Sequence, residues 1–174
     1  MKTLSRLLTV SLLALVPAAR AQSSAAAQRF VGTWRLVSIA GAPCDASFSE
    51  DGPAGIIMYD NTGHMAVQFS RRAKRPGFAK GTNAGTVEEK AAAFNSYGAY
   101  YGTFTVDPAA GIVTHHLEGS VNPTEVGNDN VRYYEFQGNR LILTVAIDCK
   151  GARLARKDAT RHLTWERIAG DRHF

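Results

Sequence analysis

The most reactive-looking stretch of the chain is His115-His116-Leu117-Glu118. It reads as part of a strand, so its side chains alternate between two faces. Val113, His115, Leu117 and Gly119 fall on one face; Thr114, His116, Glu118 and Ser120 fall on the other. The first face is the more apolar, which places His115 inside. A register shifted by one residue would bring His116, Glu118 and Ser120 inside instead. A buried imidazole beside Tyr101 or Arg132 could accept, donate or relay a proton near neutral pH. His115, His116 and Tyr101 are therefore the catalytic candidates, and a hydrogen-bonded structural histidine fits the same pattern. The two histidines are neighbours pointing to opposite faces, so no metal site is expected from them.

Arg132 opens the run Arg132-Tyr133-Tyr134-Glu135-Phe136. Facing inward, it would hold a carboxylate through paired N–H donors; facing outward, it would meet a surface acid. Tyr59, Gln68, Tyr101, His115, Arg132 and Tyr134 form the candidate ligand-binding set. The tyrosines and the glutamine are equally explained as packing with a satisfied polar tip. The chain has no Gly-x-Ser-x-Gly elbow, phosphate loop, dinucleotide fingerprint or His-Glu-x-x-His helix. No cofactor is expected.

These residues need a scaffold, and the scaffold reads as short strands joined by turns. Expected strands run over 30–39, 55–59, 64–70, 101–107, 112–119, 131–137, 140–148 and 161–168. Trp34, Leu36 and Ser38 are assigned to one face of the first. Asp60-Asn61-Thr62-Gly63 and Gly138-Asn139 are hairpin turns, because Asn and Gly accept the positive φ such turns need. Thr86-Val87-Glu88-Glu89 is a capping box that starts one short helix, about 86–97. Val87, Ala91 and Phe94 share its apolar face, which is expected to pack against or close a barrel mouth. Residues 71–85 carry Arg71, Arg72, Lys74, Arg75 and Lys80. They read as an exposed loop or a basic lid. The result is an all-β fold, about eight antiparallel strands with one short helix, closed as a barrel or stacked as a sandwich. Eight strands closing on themselves leave room for side chains or one small ligand.

The ends of the chain bear on its location. Lys2 and Arg6 precede an apolar run, Leu7 to Val16, too short to span a bilayer, and Ala19-Arg20-Ala21 follows. This is the pattern of a signal peptide over 1–21, with export to the periplasm or outside. Residues 22–29 are small and polar, a flexible leader. The domain is expected at 30–168, with a tail at 169–174. The whole chain carries 20 basic and 15 acidic residues, a net charge of +5. Loss of Lys2, Arg6 and Arg20 leaves 17 against 15, or +2, so nucleic acid is not an expected partner. No membrane span is expected. Cys44 and Cys149 are the only cysteines. In an exported protein an even count favours a disulfide over two buried thiols.

Gly32-Thr33-Trp34 and Trp165-Glu166-Arg167 carry a resemblance. The first resembles the Gly-x-Trp signature of the lipocalin (calycin) superfamily. There the Trp sits inside the closed end of the barrel, and an Arg or Lys from the last strand stacks across it. The resemblance implies structural roles for Trp34 and Arg167. A guanidinium can cover an indole face and still reach backbone carbonyls. Gly63-His64-Met65, Tyr100 to Phe104, His115 to Ser120, Asn122-Pro123, Gly127 and Arg132 extend the match. Together they resemble the bacterial and fungal lipocalin-like domain family over most of 30–168. The resemblance implies a barrel binding a small lipophilic molecule. Related barrels also isomerise or cyclise such molecules, and a barrel filled by its own side chains is a third reading.

Overall fold

The computed structural model describes residues 25–41, 52–71 and 75–169. The expected signal peptide, Cys44, residues 72–74 of the basic segment and the end of the tail lie outside the described residues. Eight strands form one closed antiparallel barrel in sequence order. They are β1 Gly32–Ala40, β2 Ala54–Tyr59, β3 His64–Ser70, β4 Tyr97–Asp107, β5 Ile112–Ser120, β6 Asp129–Gln137, β7 Arg140–Val145 and β8 His162–Arg167. β8 pairs back on β1, with Trp34 opposite Arg167 and Leu36 opposite Trp165. No helix among the described residues is long and apolar enough to cross a membrane.

Alternation explains most of the core. β4 buries Gly102, Phe104 and Val106, and β5 buries Val113, His115 and Leu117. Two bulges break the pattern. In β1 the pairing with β8 skips at Val37, between Leu36 and Ser38. Trp34 and Leu36 stay buried, but Ser38 is exposed and Ile39 packs against the core. The face expected for Ser38 is therefore corrected: one unpaired residue reverses every side chain after it. A second bulge leaves Glu118 unpaired, since Tyr101 faces Gly119 while Gly102 faces Leu117.

One end of the barrel is sealed by a residue that precedes the strands. Residues 25–28, expected as flexible leader, form a helical turn, and Ala26 and Ala27 pack on the core. Phe30 is fully buried. Its ring centroid lies 5.0 Å from Tyr134, 5.0 Å from Phe136 and 5.3 Å from Tyr59, each edge-on. Such pairs add about 0.5–1.5 kcal/mol each beyond the area they bury.

The helix Val87–Asn95 has the expected capping box. Glu89 N–H donates to Thr86 Oγ1, and Thr86 N–H donates to Glu89 Oε2. It buries none of its residues. Val87 is 78% exposed and Phe94 51%, so the expected apolar face does not pack as a core face. Local capping, not burial, defines this helix.

Candidate functional site

At the sealed end, Trp34 Nε1 donates to the Phe30 carbonyl at 2.8 Å. The Arg167 guanidinium lies 3.9 Å from the Trp34 ring centre. It also donates to the carbonyls of Val31 and Arg29, each at 2.6 Å. These bonds tie the last strand to the segment entering the first. Gly32 adopts φ +131°, and a Cβ there would lie 2.6 Å from Arg167 Nη1. The glycine of Gly-x-Trp is thus required by backbone conformation and by the arginine passing over it.

The other end is open. A cavity of about 720 Å³ runs into the barrel from this mouth. That size suits a small organic ligand. Ile57, Val67, Phe69, Leu143, Leu163 and Trp165 give it apolar walls. Tyr100, Asn130, Arg132 and Arg161 add polar groups, and Phe94 and Asn95 of the helix stand beside them. The helix therefore borders the mouth, as expected, without burying a face there. Glu125 and Asp148 also line it, but both carboxylates are engaged. Glu125 accepts from Ser120 Oγ at 2.8 Å, and Asp148 Oδ1 accepts from the Lys150 and Ala152 N–H groups.

His115 lies beneath this cavity, 1% exposed. Its Nε2 is 2.8 Å from the Tyr59 hydroxyl and its Nδ1 is 3.0 Å from the Tyr100 hydroxyl. Each ring nitrogen thus meets one tyrosine hydroxyl, and the neutral ring donates at one nitrogen and accepts at the other. Burial, with the positive charge of Arg132 second, lowers the His115 pKa to about 3. The ring is neutral across the physiological range. Burial likewise raises the pKa of both tyrosines.

Of the six candidate ligand-binding residues, only Arg132 lines the cavity. None of the ion pairs among the described residues involves it. Its Nη1 donates to the neighbouring Val131 carbonyl, and it lies beside the Tyr100 hydroxyl together with Asn130. His115 points inward, and His116 points outward to Thr105 Oγ1 at 2.9 Å and Asp129 Oδ1 at 2.7 Å. Tyr59 and Tyr134 belong to the aromatic plug, not the cavity wall. Gln68 is on the outer face, where its Oε1 accepts from Tyr97.

Tyr101 is corrected outright. It is 58% exposed and covers Gly119 on the outer wall, where a Cβ would collide with its ring. Tyr100, one residue earlier, holds the interior position. Counting back in twos from the buried Val106 and Phe104 reaches Tyr100, so the signal for it was present. No comparable sequence signal marks Trp165 as a cavity residue.

In the basic segment, Arg75 is tied to the helix end. Its guanidinium donates to the Ala93 carbonyl at 2.6 Å and to Ser96 Oγ at 3.1 Å, and lies over Tyr97. A cation there complements the carbonyl end of a helix. No described cysteine is free. The expected partner of Cys149, Cys44, lies outside the described residues.

No curated protein matches this chain. A crystal structure of a point mutant of the fluorescent protein UnaG is similar at 11% identity, with a TM-score of 0.37. That match covers 80% of this chain and 96% of the other. A sequence profile described as a lipocalin-like domain matches residues 31–168. With that match and a closed eight-stranded barrel, this chain belongs to the lipocalin-like domain family.

Proposed function

We propose that this chain is an exported protein that binds a small lipophilic ligand in its open barrel end. The observation that carries this reading is the cavity of about 720 Å³ with aliphatic and aromatic walls and an arginine, Arg132, that forms no ion pair among the described residues. Apolar walls reward desolvation of a lipophilic body. Arg132 supplies donors and positive charge and forms no ion pair among the described residues, so an anionic head group would complete the site. Export rests on the N-terminal pattern Lys2 to Ala21, and pairing of Cys44 with Cys149 belongs to the same proposal.

A second reading, a cofactor-independent isomerase or cyclase, draws on one observation. Tyr100 lines the cavity and is backed by His115 and Tyr59. That chain could pass a proton to a bound substrate. The cavity argues against the third reading, a barrel filled by its own side chains.

Native mass spectrometry of protein purified gently from its source tests the binding reading. The expected spectrum starts at Gln22, lacks both thiol hydrogens and carries a small-molecule adduct lost on organic extraction. A clean mass, with no adduct recovered after incubation with lipid extract, would overturn it.

A further inference from the structure

The helix Val87–Asn95 buries none of its residues, and its two faces meet different surroundings. Glu89 and Ala93 are turned toward residues 75–79: Glu89 Oε1 accepts from the Ala79 N–H at 2.9 Å, and the Ala93 carbonyl accepts from Arg75. Lys90, Ala91 and Phe94 follow Val87 at helical spacing, so these four share the other face. All four are exposed. Val126, 48% exposed, adds an apolar side chain next to Glu125 on the cavity wall. Exposed apolar side chains gathered in one place mark a contact surface.

The setting of this face is basic. Residues 71–96 hold six basic residues against two acidic ones, Glu88 and Glu89. Glu89 is taken up by the N–H groups of Thr86 and Ala79. Arg75, Lys80 and Lys90 are exposed and form no ion pair among the described residues. Lys90 stands within the apolar stripe itself, where its stem lies along apolar surface while its ammonium reaches beyond. An apolar stripe set among cations complements a surface with an apolar interior beneath anionic groups.

We propose that this helix docks the open end of the barrel on a lipid surface that carries anionic head groups. Val87 and Phe94 enter the head-group boundary, and Arg75, Lys80 and Lys90 meet the phosphates. Phe94 and Asn95 border the cavity mouth, so the docked barrel opens onto lipid. The docking holds whatever the barrel carries; entry of a lipophilic ligand from that lipid rests on the binding reading above.

The test is co-sedimentation of the mature protein with vesicles of phosphatidylcholine alone and of phosphatidylcholine mixed with phosphatidylglycerol. Wild type is expected to bind the mixed vesicles about tenfold more tightly, and salt should release it. Lys80→Gln combined with Lys90→Gln should weaken that binding about tenfold. Val87→Ser should weaken it severalfold. Melting temperatures should not change, because all three side chains are exposed. Equal binding to both vesicles, no binding to either, or binding that the substitutions leave intact overturns the proposal. So does a dimer in solution that Val87→Ser dissolves, which would assign the face to a second copy of this chain. Ligand binding in the cavity is read separately, with no vesicles present, so a failure of docking leaves that reading standing.

Discussion

The two ends of this barrel are built on opposite principles. At the sealed end the tryptophan and the arginine find acceptors: Trp34 bonds Phe30, and Arg167 bonds Val31 and Arg29 while covering the indole. Phe30 fills the lumen and four aromatic rings close on it. At the open end, Arg132 lines a cavity and forms no ion pair among the described residues. The same residue type thus does different work: Arg167 covers an indole and bonds two carbonyls at one end, and Arg132 stands on a cavity wall at the other. His115 sits between the regions, satisfied on both ring nitrogens and carried by tyrosines from each.

The largest effect should come from breaking the sealed end. Trp34→Ala should cost about 3–5 kcal/mol in unfolding free energy, the range for removing a buried aromatic. Chemical denaturation measures it, and an unchanged midpoint would refute the closure role.

His115 comes next. Its pKa is lowered from 6.5 to about 3 in the folded state. Between those values the unfolded chain binds a proton that the native one refuses, so stability falls as pH falls below about 6.5. On the order of 3 kcal/mol should be lost by about pH 4. His115→Gln should give a flatter profile over that window in pH-dependent denaturation. Parallel profiles would show that the ring is not held neutral.

A smaller effect, about 1–3 kcal/mol, is expected for Gly32→Ala, because its φ is unfavourable for a side chain and Arg167 must shift. Rescue of Gly32→Ala by a second change at Arg167 would tie the two positions together in a double-mutant cycle. Least of all, Phe94→Ser at the cavity mouth should stay within about 0.5 kcal/mol of wild type in the same assay, since the side chain is half exposed. A larger loss would mean that the helix supports the barrel, contrary to its lack of buried residues.

The barrel itself was legible because alternation and turn chemistry report locally. Asp60 to Gly63 and Thr86 to Glu89 name their own structures, and Gly32-Thr33-Trp34 with Arg167 names the closure. The site was less legible, for three physical reasons. Bulges at Val37 and Glu118 shift which side chains point inward, and nothing local announces them. Tyr100 and Tyr101 are chemically identical neighbours, and only their parity against Phe104 separates them. Finally, Phe30 enters the lumen from outside the strands. It takes Tyr59 and Tyr134 into its plug and leaves Arg132 as the one candidate on the cavity wall.

The contrast between the two ends is tested most directly by titrating a dansylated fatty acid into wild type, Arg132→Leu and Tyr134→Phe, with melting temperatures recorded for each. Saturable binding to wild type is expected, at least tenfold weaker in Arg132→Leu at nearly unchanged melting temperature and unaltered in Tyr134→Phe. Equal affinity in all three proteins, or a loss confined to Tyr134→Phe, would contradict the assignment of ligand binding to the open end.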